Sequence, residues 1–444
     1  MSLSRCVALL LLPATVAFAE EPAKTPPDAL LVIKAGRVVD PKGGHILTNQ
    51  AIVIEGERIK AVGAAAEVLE KLPAHTRVID LGAATVLPGL IDCHTHITAQ
   101  SEDYYADIFR RSPIDYAVTA HVYARRTLEA GFTTVRDVGA GEFIDIALKR
   151  AIDSGKVAGP RIVPAGLAIG ATGGHADLSG FSPSVSFTDR SGVADGEDEI
   201  RKKVRENIKY GAEWIKIMAT AGVLSEEESV GAPQYQPDEM RAAVEEAAMW
   251  GRKVAAHAHG TEGIKRAIRA GVASIEHASF IDDEGIALAK ERGTWLVMDI
   301  YNDDYILAEF ARLGFPQKLI EKEKLVGRTQ RENFQKAVRA GCRMAYGTDA
   351  GVYPHGGNAR QFRHMVQWGM TPMQAVQAAT VNGAELLGWS DRIGRLAPGF
   401  QADLIALKED PLADVTRLES VDFVVKGGRI YKNRLTSDPV HRLE

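Results

Sequence analysis

Two histidines one residue apart, His94 and His96, follow the run Pro88-Gly89-Leu90-Ile91-Asp92-Cys93. Side chains alternate faces along a strand, so positions i and i+2 aim two imidazoles at one point. A divalent-metal site needs this, because imidazole nitrogens and carboxylate oxygens are its ordinary protein ligands. Further along, Trp214-Ile215-Lys216-Ile217-Met218 sets a lysine among apolar residues, where an unpaired ammonium is costly. His257-Ala258-His259, Glu276-His277 and Gly347-Thr348-Asp349-Ala350-Gly351 each close a β-rich run. Singly, each residue has a plainer reading: a pair of ordinary strand histidines, a hydrogen-bonded structural histidine, a turn aspartate. As a set, these histidines, Lys216 and Asp349 are far more specific than any one of them.

A centre drawn from such distant residues needs a frame that brings strand ends together. Eight short β-rich runs alternate with helical stretches: 85–91, Thr133 to Asp137, Arg161 to Ala165, Trp214 to Met218, Lys253 to Ala258, Ser274 to His277, Trp295 to Asp299 and Met344 to Tyr346. The stretch Pro237 to Gly251, with Asp238 and Glu239 in its first turn, is one such helix. Eight units over about 300 residues fit an α/β fold of the (β/α)8 TIM-barrel type, whose active-site groups sit at the carboxyl ends of the strands. A doubly wound open sheet is the alternative, but no glycine-rich phosphate loop follows the first strand. Strand-rich segments flank the barrel, 28–85 before it and 391–444 after it. Neither holds enough strands alone, and together they predict one small β-sandwich domain around a barrel over 86–390. The charged stretch Asp189 to Asp198 reads as an exposed loop.

At 444 residues the chain exceeds one ordinary core, and its 45% apolar and 25% charged composition is that of a globular protein. A net charge of −5 without any basic block speaks against a nucleic-acid partner. Arg5, the apolar run Cys6 to Phe18 and Ala17-Phe18-Ala19 predict a signal peptide over 1–19, cleaved after Ala19. The run is too short for a stable membrane anchor, so a secreted or periplasmic protein is expected. The remaining Cys93 and Cys342 are not a disulfide framework and read as small buried hydrophobes.

The motif Pro-Gly-Leu-Ile-Asp-x-His-x-His, Lys216 on the fourth strand, His257 and His277 on the fifth and sixth, and Asp349 on the eighth resemble the amidohydrolase superfamily over nearly all of residues 28–435. The resemblance implies a (β/α)8 barrel with a β-sandwich and a binuclear centre of two divalent metal ions, usually zinc. It implies that Lys216 is carboxylated by CO2 and bridges the ions. His94, His96 and Asp349 would hold the more buried ion, His257 and His277 the more exposed one. Carboxylation turns a cation that cannot ligate a metal into a two-oxygen anion that can. Metal binding lowers the pKa of water from 15.7 to about 7, and Asp349 could carry the proton from attacking water to the leaving nitrogen.

Gly170-Ala171-Thr172-Gly173-Gly174-His175, Lys216-Ile217-Met218-Ala219-Thr220-Ala221-Gly222 and Gly347-Thr348-Asp349-Ala350-Gly351 resemble the Xaa-Pro dipeptidase and imidazolonepropionase-related branch. That branch includes bacterial enzymes cleaving ochratoxin A, an amide of phenylalanine. The expected activity is hydrolysis of an amide next to a C-terminal amino acid in a small amide or peptide substrate, by a homo-oligomer. Opening of an imidazolone or cyclic amide ring is the alternative, with a non-catalytic binding relative behind it. Loop residues complete the expectation: His175 polarising the carbonyl, Tyr235, His259 and Tyr301 contacting substrate, and His355 either in a lid or in solvent.

Overall fold

The computed structural model describes residues 30–185 and 191–441. The expected export signal lies outside them. The two ends of the chain meet in one eight-stranded sheet. Its path runs Arg429–Asn433, Phe423–Lys426, Leu404–Leu407, Thr85–Pro88, Leu30–Asp40, His45–Glu55 and Arg58–Ala64, with Arg77–Asp80 also paired to Leu30–Asp40. Ile33, Ile52, Ile79 and Val86 from the first segment share a core with Leu404 and Val425 from the second. A hairpin alone is marginal in water, so each segment needs the other.

The run read as one strand over 85–91 is two. Thr85–Pro88 pairs antiparallel with Leu404–Leu407, whereas Leu90–Thr95 pairs parallel with Phe132–Asp137. Gly89 makes the crossing between the sheets: a Cβ there would lie 2.2 Å from Thr133 Oγ1, so only glycine fits.

The middle of the chain is an α/β, TIM-barrel-like alternation. Leu90–Thr95, Phe132–Asp137 and Arg161–Pro164 form a three-stranded parallel sheet, and Trp214–Met218, Lys253–Ala258, Ser274–His277 and Trp295–Val297 a four-stranded one. Single parallel bridges at Ile169–Ile217, Leu296–Met344 and Thr95–Ala350 continue the pairing between them. The stretch 344–346 is a bridge rather than a regular strand, yet Tyr346 O accepts from Cys93 N (2.8 Å) and His94 O from Asp349 N (2.8 Å). Its extended geometry ends at Asp349, whose φ of +55° is left-handed.

Helix Pro237–Met249 starts with proline in its first turn and a Gln236–Glu239 capping box. The last residues of the expected 189–198 loop instead open helix Gly196–Tyr210, with Glu197, Asp198 and Glu199 against its positive end. Cys93 and Cys342 are both free. Among the described residues no helix is long and apolar enough to cross a membrane.

Candidate metal centre

Strand alternation sorts the chemistry from the core. Ile215 and Ile217 pack into the main apolar cluster while Lys216 and Met218 line a cavity; Ala256 and Ala258 do the first, His257 and His259 the second. The cavity has a volume of 340 Å³ and is lined by His94, His96, Lys216, His257, His277 and Asp349 together. Lys216 is its only lysine or arginine among the described residues.

Five rings have their Nδ1 engaged by protein, which leaves Nε2 to face the cavity. His96 Nδ1 lies 2.9 Å from Gly139 O, His175 Nδ1 2.7 Å from Ser225 Oγ, and His259 Nδ1 2.8 Å from Ser279 Oγ. His277 Nδ1 lies 2.8 Å from Asp299 Oδ1, and His94 Nδ1 3.0 Å from Glu276 Oε2. Such contacts set the tautomer and aim of a ligand histidine. His257 Nε2 is buried without a hydrogen-bond partner, an uncompensated acceptor unless something binds it.

Asp349 Oδ1 lies 3.3 Å from His94 Nε2 and 3.2 Å from His96 Nε2. Ligands on a tetrahedral ion with bonds of about 2.0–2.1 Å sit about 3.3 Å apart, so Asp349 Oδ1 stands at ligand spacing from each ring, and all three atoms lie within 4.8 Å of one another. Ligating atoms of His257, His259 and His277 also lie within 4.8 Å of one another, as do those of His277, Asp299 and Asp349. Asp299 is already bonded to His277 Nδ1, so its geometry is that of an orienting group rather than a ligand.

Electrostatics agree. Burial pushes the Asp349 carboxyl up, but His94 and His96 outweigh it and hold it well below the carboxylate range. Burial and Lys216 push His94 down, yet Asp349 and Glu276 raise it to about 9, so the site favours positive charge there. Burial and neighbouring imidazoles hold His257 and His259 well below the usual histidine value, in the neutral form that can ligate. Burial lowers Lys216 to about 8. A divalent ion therefore fits this donor set.

Two buried braces were given no role by the sequence. Asp92 accepts from Thr348 Oγ1 (2.6 Å), Asn358 Nδ2 (2.8 Å) and His94 N (3.2 Å), tying the first strand to the Asp349 turn. Arg136 pairs with Glu276 at 2.8 Å, both fully buried, and Glu276 in turn meets His94. Glu276 sits beside His277, and Asp299 closes the run expected over Trp295 to Asp299, which was a signal; Gln330, on helix Gln317–Ala340, offered none. Its Nε2 lies 3.2 Å from Asp299 Oδ1.

His175 lies in the cavity, stacked on His257 at 4.2 Å between centroids. His259 lines it too. Tyr235 and Tyr301, expected to touch substrate, do not line it. Tyr235 is buried in the core and donates to Ala194 O (2.7 Å); Tyr301 takes a hydrogen bond from Arg360 (2.7 Å) and packs edge-on against Tyr353. His355 is neither a lid nor solvated: it is buried, with Nε2 2.8 Å from Ala99 O.

Residues 85–431 match the Amidohydrolase family. The chain is 34% identical over 433 residues to an ochratoxinase of Aspergillus niger, covering 92% of this chain and 88% of that one. It is similar to the solved structure of a Xaa-Pro dipeptidase with methionine bound in the active site (39% identity, TM-score 0.85, covering 91% and 100%). An imidazolonepropionase of Micrococcus luteus is 25% identical over 396 residues, covering 83% and 90%. These likenesses run the length of the parallel strands that carry the cavity, and the chain, a hydrolase of carbon–nitrogen bonds, belongs to the amidohydrolase family.

Proposed function

We propose that the protein is a binuclear metal-dependent hydrolase that cleaves an amide bond beside a C-terminal amino acid. The convergence of His94, His96, Lys216, His257, His277 and Asp349 on one cavity carries this reading. In it, the eight β/α units close into a (β/α)8 barrel, the sheet from both chain ends is the family's β-sandwich domain, and the export segment delivers a homo-oligomer to the periplasm or medium. His94, His96 and Asp349 would hold one divalent ion, most simply zinc, and His257 and His277 the other, with carboxylated Lys216 as a ligand available to both. Divalent ions bound there supply an activated water and polarise the scissile carbonyl.

The remaining work falls to side chains. Asp349 takes the proton of the attacking water and returns it to the leaving nitrogen; Asn302 Nδ2, 3.2 Å from Asp349 Oδ2, holds the second oxygen in place. Burial keeps His175 neutral, at about 4. Its Nδ1 lies against Ser225 Oγ, and its ring, inside the cavity, is the group that polarises the substrate carbonyl. His259 acts behind His277. Leu224, Ile306 and Phe315 form an apolar wall suited to an apolar or aromatic released residue, so Xaa-Phe dipeptides and ochratoxin A are the candidate substrates.

With Lys216 given to the metals and no other lysine or arginine lining the cavity among the described residues, the substrate carboxylate is held by neutral donors, and charge-assisted hydrogen bonds still favour it. Methyl-esterifying that carboxylate should lower kcat/KM by at least about tenfold, roughly 1.4 kcal/mol. Equal values for acid and ester would return ring opening to the front. Elemental analysis should find two ions per chain, and consistently fewer than one would end the binuclear reading.

A further inference from the structure

One acid in the cavity is used by nothing described so far. Glu323, on helix Gln317–Ala340, is 4% exposed and lines the cavity between Leu319 and Val326 on the same helix face. Its carboxyl makes no hydrogen bond or ion pair with any described residue, unlike its acidic neighbours. Asp299 is engaged by His277 Nδ1 and Gln330. Asp303 is paired with Arg331 at 3.3 Å, and Arg331 is shared with Asp304 at 2.7 Å. A buried carboxyl without a partner is costly, and the cavity is the open side from which a partner can come.

We propose that Glu323 is the subsite for the free α-ammonium of an unblocked dipeptide. This rests on the amide-hydrolase reading and narrows it: the acyl side is an amino acid with a free amine, not an N-acyl group. Three observations favour a cation over a neutral donor. Burial, together with Asp303 and Asp299 acting on Glu323 with the same sign, pushes its carboxyl up to about 8. Arg331, the one cation acting against them, is already spent on two aspartates. The cavity lies near the lower end of small-ligand pockets, so a dipeptide bound there brings its amino end inside with it. An ammonium paired with Glu323 gives each charge its counter-ion away from water.

The test compares L-leucyl-L-phenylalanine with N-acetyl-L-leucyl-L-phenylalanine on the metal-loaded enzyme and on Glu323→Gln. The expected kcat/KM ratio, free over acetylated, is at least about tenfold in the parent and near one in E323Q. A ratio that E323Q does not move overturns the proposal, as does an equal loss on both peptides. E323D, which keeps the charge, should retain the preference; if E323Q misfolds, loss of the preference in E323D would count against the subsite. If the parent cleaves neither peptide, the amide-hydrolase reading fails on these substrates and calorimetry decides the subsite separately. L-leucinamide should then bind the parent at least about tenfold more tightly than N-acetyl-L-leucinamide, and equal binding overturns the proposal.

Discussion

Gly222 offers the sharpest probe of His175. A Cβ at this position would lie 2.3 Å from His175 Cε1 and 2.6 Å from each ring nitrogen. The glycine is not in the left-handed region, so alanine suits the backbone and the effect of Gly222→Ala is steric. Non-bonded carbons settle at about 3.5 Å or more, so the ring must withdraw by about 1.2 Å. That retreat stretches the 2.7 Å bond to Ser225 and disturbs the 4.2 Å stack on His257. A misplacement of about 1 Å in a reacting group costs roughly 10²-fold, or about 2.7 kcal/mol of transition-state stabilisation. Steady-state kcat/KM on a dipeptide, with metal content measured alongside, should fall by that amount at full metal loading. Because the loss acts through one ring, Gly222→Ala added to His175→Ala should cost little more than His175→Ala alone. Activity of G222A within about threefold of the parent, or a double variant far below H175A, would refute the reasoning.

Other perturbations act on the metal or the proton. Lys216→Ala should lose metal and turnover together, with partial rescue by short carboxylic acids; near-normal turnover would exclude a bridging carbamate. Asp349→Asn keeps the shape and removes the proton acceptor, so kcat should drop about 10²–10⁴-fold, and full metal with unchanged kcat would exclude Asp349 as the base. Asp299→Asn weakens the hold on His277 Nδ1 and should cost about 10–100-fold in metal affinity by chelator competition; unchanged affinity would leave Asp299 a purely structural residue.

Much of this protein is legible in its sequence because the governing rules are local and repeat along the chain. A strand shows its neighbour the same face every second residue, so His94 and His96, or His257 and His259, declare a shared direction without any fold in hand. Lys216 declares itself because burying an ammonium among Ile215 and Ile217 needs a reason. The alternation of β-rich and helical runs leads to an α/β frame, since helices must cover a parallel sheet. Tertiary structure alone decided the rest. Glu276 reaches His94 and Arg136 across strands, and the helix carrying Glu323 and Gln330 swings over the cavity; those pairings depend on distances between segments that no local period encodes. Tyr235 and Tyr301 follow the expected strands in the chain yet lie outside the cavity, where Tyr235 bonds to Ala194 O and Tyr301 to Arg360, partners that no local period encodes. The division at Gly89 was hidden for the same reason: an apolar run reads as one strand until Leu404–Leu407 and Phe132–Asp137 arrive on different edges to claim its two halves.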